Sequence, residues 1–106
     1  MKQLEIYVRH DAELDAFGYF QYIHERNPNA AVRFLGAIDK TIEGLALQPF
    51  KGRLRKLRGR ALKNIRSWRV NGFENYLIFY RVTASRLEIL RIKHGAMDFP
   101  SALRRL

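Results

Sequence analysis

The dipeptide Asn27-Pro28 constrains this 106-residue chain more than any other feature. Proline pushes the residue before it out of the α region, yet suits the first turn of a new helix. On both sides of it apolar residues recur at helical spacing: Ala12, Ala16, Tyr19, Phe20 and Ile23 before it, then Ala31, Phe34, Leu35, Ile38, Ile42 and Leu45 after it. Asp11 is the expected cap of the first helix, which ends near Asn27. Pro49 and Gly52 stop the second. Two helices with so short a link fold back on each other as antiparallel neighbours.

The flanking sequence has a different period. In "QLEIYV" (3–8) Leu4, Ile6 and Val8 alternate with Gln3, Glu5 and Tyr7, the pattern of a half-buried strand. Beyond the helices, "IRSWRV" (65–70) reads as a strand and "NGFEN" (71–75) as turn chemistry. "YLIFYRV" (76–82) is apolar on both faces, as a central strand covered on both sides would be. "RLEILRI" (86–92) follows across a short link. The expected fold is α+β: an N-terminal strand, then an antiparallel two-helix hairpin packed on one face of a small, mainly antiparallel β-sheet, in one domain spanning 1–106. With 47% apolar residues, such a domain can bury roughly two-thirds of the surface its unfolded chain exposes.

Charge divides the chain in two. Residues 1–50 carry five Lys/Arg and seven Asp/Glu, whereas 51–106 carry fifteen Lys/Arg and three Asp/Glu. Nine of those cations lie between Lys51 and Arg69, with no acidic residue among them. The densest run is "KGRLRKLRGR", which links the second helix to the sheet. A one-signed cluster is more than solubility requires, and its field would attract nucleic acid or an acidic protein segment. Trp68, the only aromatic residue in that stretch, is expected to belong to the core rather than to stack on a base. The absence of cysteine excludes a disulfide scaffold and a Cys-based zinc site. No stretch approaches the roughly 20 apolar residues of a membrane span, so a cytoplasmic protein without a membrane partner is expected.

Familiar catalytic patterns are missing. His10, His24 and His94 lack ligand spacing, so no metal and no cofactor is expected. Ser67, Ser85 and Ser101 lack the context of an activated nucleophile, and there is no glycine-rich phosphate loop. What remains is the ending "ILRIKHGAMD", where Arg91, Lys93, His94, Gly95 and Asp98 lie close in sequence. An imidazole beside cations can act as general acid or base on a phosphodiester. The plainer expectation is that Arg91 pairs with Asp98 while His94 and Gly95 shape the turn out of the strand.

Five segments, "DAFGYFQYIHERNPNAA" (15–31), "RFLGAIDKTIEGLALQPFKG" (33–52), "NIRSWRV" (64–70), "NYLIFYRV" (75–82) and "ILRIKHGAMD" (89–98), resemble the RelE/ParE toxin superfamily in the family's order. The resemblance implies a small bacterial toxin of a type II toxin–antitoxin module, silenced in a hetero-oligomer by an antitoxin whose C-terminal segment wraps around it. The ribosome-dependent, mRNA-cleaving branch that resembles RelE carries an arginine after the tyrosine of the central strand and a tyrosine in the C-terminal tail. This chain has Leu77 after Tyr76, and its last tyrosine is Tyr80. Another nuclease branch ends in a His-Tyr pair, whereas His94 is followed by Gly95.

The "HG-x-x-D" ending, with Arg91, His94, Gly95 and Asp98, and the "NYLIFYR" strand look most like the ParE branch, which poisons DNA gyrase. That branch implies no catalytic set. Lys51, Arg53, Arg55, Lys56, Arg58, Arg60 and Arg69 are then the expected contacts to antitoxin or target. Two alternatives stand beside this reading. The chain could be an mRNA endonuclease on the ribosome, using Arg66, Arg69, Arg81, Arg91 or His94, with Lys51 to Arg60 gripping RNA. It could also be a degenerate toxin that only binds its antitoxin.

Overall fold

The computed structural model describes residues 4–95. A strand β1 (Glu5–Val8) leads into helices α1 (His10–Arg26) and α2 (Pro28–Leu47). A two-residue strand β2 (Arg53–Leu54) and a 3₁₀ turn (Arg60–Leu62) follow, then the long strands β3 (Ile65–Val70), β4 (Phe73–Val82) and β5 (Arg86–His94). The five strands form one sheet in the order β1-β5-β4-β3-β2. The β2-β3-β4-β5 pairings are antiparallel, while β1 runs parallel to β5 with Ile6 opposite Leu87 and Val8 opposite Ile89. A strand that returns to the same sheet through two helices has the length to arrive parallel, which a hairpin cannot do.

Asn27 is the hinge of the helical hairpin. Its N–H donates to Ile23 O at 2.8 Å to close α1, and its Oδ1 accepts from Ala30 N at 3.0 Å to open α2, with Pro28 in the first turn. The other predicted cap does not form: α1 begins one residue before Asp11, with Arg9 at the cap position, and Asp11 lies in the first turn, where its charge suits the helix dipole. Leu35, expected in the buried stripe of α2, is exposed; the stripe runs through Ala31, Phe34, Ile38, Ile42 and Leu45 instead.

The sheet has two apolar faces. Phe34, Ile38, Ile42 and Leu45 of α2 and Ala12 of α1 pack on Val70, Ile78, Tyr80, Leu87, Ile89 and Ile92. On the other face Leu62 covers Ile65, Phe79 and Leu90, with Leu57 and Leu77 at its margin. The double covering expected of "YLIFYRV" is therefore real, and its second layer is the basic segment itself. β4 starts earlier than "NGFEN" suggested, because the turn is only Asn71–Gly72, with Gly72 at φ 82° where a β-carbon is disfavoured. Thr41 Oγ1 holds that turn against α2 by accepting from Asn71 N at 3.1 Å.

A β-bulge between β4 and β5 re-aims the chemistry. Phe79 pairs with Arg91 but Tyr80 pairs with Ile89, so Leu90 is the extra residue. Leu87, Ile89 and Ile92 then face the helices while Leu90 turns to the far side. Arg91 reaches α1, where its Nε and Nη2 donate to Asp15 at 2.8 and 3.0 Å. The expected partner of Arg91, Asp98, lies outside the described residues. Lys93 Nζ adds a third contact to Asp15 at 3.2 Å. Asp15 Oδ2 also accepts from the backbone N–H of Ile92, and Tyr19 Oη accepts from that of His94, each at 3.0 Å. Two side chains four apart on a helix lie about 6 Å apart along its axis. Two N–H groups two apart on a strand lie about 6.7 Å apart, so the match is close enough for α1 to finish the edge that β1 leaves open.

Tyr80 holds the exit of α2. Its hydroxyl accepts from Gly52 N at 3.0 Å and donates to Pro49 O at 2.8 Å; burial pushes the phenol pKa up and keeps that donor proton in place. A β-carbon on Gly52 would stand 2.2 Å from the hydroxyl.

Asp15→Ala leaves two cations in a half-buried site without their partner, and is expected to cost about 3–5 kcal/mol in urea unfolding. A loss below about 0.5 kcal/mol would show that Asp15 does not hold the β5 edge. Tyr80→Phe is expected to cost about 1–3 kcal/mol with an unchanged urea dependence, because it removes both hydrogen bonds and little volume. Gly52→Ala should lower the melting temperature in both backgrounds, and by less beside Tyr80→Phe, which removes the nearest clashing atom and leaves the two ring carbons at 2.8 Å.

Candidate functional site

The basic segment is strapped across the sheet by its carbonyls, which leaves most of its cations outward. Arg66 Nη1 donates to Phe50 O at 3.2 Å and Gly52 O at 2.9 Å. β2 then pairs Arg53 with Ser67 and Leu54 with Arg66, and Arg55 N donates to Ile65 O at 2.8 Å. Leu57 and Leu62 fold onto the far face of the sheet. Arg81 closes the strap: its Nη2 donates to Ala61 O, its Nε to Lys63 O at 3.3 Å, and its Nη1 lies 3.7 Å from Glu88. Leucines every few residues in "RLRKLRGRAL" supply the weight for this packing, a signal present in the sequence but hidden by the charge around it.

Beside the strap lies a groove of about 430 Å³ lined by Lys51, Arg53, Arg55, Ser67, Trp68, Arg69 and Leu77. Arg55 Nε donates to Ser67 Oγ at 2.8 Å, and the guanidinium lies 5.8 Å from the centre of the Phe79 ring. Burial, and after it the charges of Arg53 and Arg69, pull the Arg55 pKa below the usual arginine value. The group stays charged, since arginine starts so high, but its environment already holds more positive charge than it favours. Lys51 Nζ stands 4.8 Å over the Trp68 ring. Trp68 is thus half-buried: it packs against the helix-side core and also forms part of the groove wall. Arg69 Nη1 donates to Glu74 O at 3.3 Å. Lys56, Arg58 and Arg60 stay exposed on the strap and do not line the groove.

Of the five residues considered for catalysis, only Arg69 and His94 border one groove. Arg66 serves the exit of α2, Arg81 serves the strap, and Arg91 is held by Asp15. His94 stands perpendicular to Tyr76, with ring centres 5.2 Å apart. It lines an aromatic groove of about 610 Å³ with Leu14, Asp15, Gly18, Tyr19, Tyr22 and Tyr76. It also borders a second groove of about 470 Å³ with Arg55, Arg69, Glu74, Asn75, Leu77 and Gly95, which continues the cationic one. Gly95 closes the β4–β5 ladder by donating to Asn75 O at 2.6 Å, and a β-carbon there would lie 3.2 Å from that oxygen. Asp15 and Tyr19 were not singled out from the sequence. The one available hint was a carboxylate beside the apolar stripe of α1, between Ala12 and Ala16.

Among the described residues no group of three or more His, Asp or Glu side chains is placed to hold a metal ion, and no helix is long and apolar enough to cross a membrane.

Comparison with known proteins adds a family to this geometry. No curated protein matches the chain. Among solved structures, the chromosomal ParDE toxin–antitoxin system from P. aeruginosa is similar, with a TM-score of 0.71 at 16% identity over 87% of this chain and 96% of that one. The toxin–antitoxin complex RelBE2 from Mycobacterium tuberculosis is similar with a TM-score of 0.54, 19% identity, and coverage of 88% and 99%. At such identities the likeness shows a shared fold. The sequence profile described as "ParE toxin of type II toxin-antitoxin system, parDE" matches residues 6–99, and the chain accordingly belongs to the ParE toxin family of type II toxin–antitoxin systems.

Proposed function

We propose that this toxin poisons DNA gyrase in the bacterial cytoplasm and is silenced by a cognate antitoxin that covers its cationic face. The observation that carries the reading is the occupation of Arg66, Arg81 and Arg91. Each is tied to carbonyls or to a carboxylate of the fold, so the arginines of the sheet build a rigid surface rather than converge on a scissile bond. A rigid cationic face suits binding of a protein target. It equally suits an acidic, partly disordered antitoxin segment that folds along it, Lys56, Arg58 and Arg60 steering the encounter and Arg53, Arg55 and Arg69 meeting its carboxylates.

One arrangement favours a second reading. His94 borders the same groove as Arg55 and Arg69, so an imidazole able to move a proton stands near cations able to hold a phosphate. Cleavage of mRNA on the ribosome would use that corner.

Purified toxin freed of antitoxin separates the two in parallel assays. The proposal expects inhibited supercoiling, accumulating linear DNA and intact mRNA; mRNA cuts in primer extension that vanish in His94→Ala, with gyrase untouched, would replace it by the second reading. For the antitoxin, Lys56→Glu together with Arg58→Glu is expected to slow association on the order of tenfold and to flatten its salt dependence. Unchanged association kinetics would remove the strap from the interface.

A further inference from the structure

We propose that the groove of Lys51, Arg53, Arg55 and Arg69 is a phosphate-binding site that holds the sugar–phosphate backbone of nucleic acid. The proposal rests on the groove alone and not on the choice of toxin target.

Arg53 and Arg55 come from alternate positions of the stretch that begins as β2, and Lys51 lies just before it across the bend at Gly52. Residues two apart in an extended stretch share a side and lie about 6.6 Å apart. Lys51, Arg53 and Arg55 all line the groove, whereas the intervening Leu54 does not and is exposed. Arg53 and Arg55 therefore stand one such step apart, comparable to that between successive phosphates of an extended strand, and Lys51 joins them in the same groove. Arg69 enters from β3, two residues beyond the Ser67 that pairs with Arg53. No acidic side chain is in the wall. Among the described residues Lys51, Arg53 and Arg69 form no ion pair with Asp or Glu.

Folding thus gathers like charges beside one another and fixes them. Ser67 Oγ holds the Arg55 guanidinium, Glu74 O holds that of Arg69, and the Trp68 ring lies under the Lys51 ammonium. Preorganised donors of one sign are what a bound anion requires. The apolar walls, Trp68 and Leu77, suit a sugar between phosphates.

The extent of the charge selects a polyanion over a single carboxylate. Lys56, Arg58 and Arg60 add charge on the exposed strap beyond the groove. From Lys51 to Arg69 there are nine cations and no acid, so the track is longer than the groove. Contacts of these cations to phosphate are positional and indifferent to sequence. An antitoxin lying on the same face would compete with the nucleic acid.

The test is fluorescence anisotropy with antitoxin-free toxin and labelled oligonucleotides of about 16 residues, as single-stranded DNA, duplex DNA and RNA of one sequence. Four phosphate contacts on duplex predict a slope of log K against log salt near about −3.6, hence a loss of about 150-fold between about 50 and 200 mM salt. Arg53→Gln and Arg69→Gln, both at exposed positions, should each reduce the slope by about 0.9. Arg33→Gln on α2 removes the same charge away from the groove and should leave the slope unchanged. Binding to all three oligonucleotides, or a preference for one, supports the site and identifies the backbone it takes. Absence of binding at low salt overturns the proposal. So does an equal effect of Arg33→Gln, which would mean net charge alone, or tighter binding of a labelled polyglutamate than of any oligonucleotide, which would mean an acidic protein segment. None of these outcomes depends on gyrase, so failure of the target reading remains separately visible.

Discussion

The carboxylate of Asp15 is the contact on which the arrangement of this fold turns. β1 pairs with β5 only from Arg86 to Ile89, and Arg9 N extends the match by one bond to Ile89 O at 2.9 Å. Past that point the edge of β5 would present bare N–H groups, an invitation to strand addition. Asp15 and Tyr19 take those of Ile92 and His94, and Asp15 also pairs with both Arg91 and Lys93. A helix is thereby bonded to a sheet edge as well as packed on its face, which settles where α1 lies along β5 more sharply than apolar packing could. The energetic argument is asymmetric. A half-buried ion pair contributes little beyond what apolar groups of the same shape would, but breaking it leaves charge without solvent or partner.

With both helices committed to one face, the other face of β4 still needs cover, and Phe79 and Leu90 would otherwise meet water. Among the described residues, the link from α2 to β3 is what reaches it. Leu57 and Leu62 provide the apolar contact, and Arg66 and Arg81 satisfy the link's carbonyls. A strap fastened through its backbone and its leucines can carry almost any charge on its remaining side chains. The cationic face is thus compatible with how the second layer is built: the fold fixes Gly52, Leu57 and Leu62 and leaves exposed positions such as Lys56, Arg58 and Arg60 open to function.

The helical hairpin, the three long strands and their order were legible in the sequence because each rests on a local pattern: proline at a helix start, a 3.6 period, or a dense run of β-branched and aromatic residues. The two-residue β2 and the 3₁₀ turn were not, since neither is long enough to show a period. The parallel placement of β1 depends on a return path through both helices that no local window contains. The bulge at Leu90 was invisible for a different reason: "RLEILRI" alternates well enough to be read as a regular strand. That single extra residue goes with the placing of Arg91 against Asp15, a partner that no local window suggests. Of the candidate site, the charge was plain and so was its place between α2 and the sheet. Which arginines face outward was not, because Arg66 and Arg69 belong to the same strand and differ only in which face of the pleat they occupy.

That difference divides the arginines into two populations with opposite demands. Arg66, Arg81 and Arg91 spend their donors on the fold, and a lysine in their place could not span two acceptors with one planar group. Arg53, Arg58, Arg60 and Arg69 face solvent at the surface, where their mutual repulsion is screened by salt and costs the folded state little. Arg55 stands between the populations. It is held by Ser67 and partly buried like the first set, yet it lines the groove with the second. A guanidinium so placed transmits charge at the surface into a fixed geometry, because it cannot swing away from an arriving anion as an exposed lysine does. The rigidity of the face and its charge therefore meet at one residue, and a partner that neutralises Arg53 and Arg69 also relieves the repulsion around Arg55. Binding there is favoured twice, by the contacts it makes and by the like-charge crowding it removes.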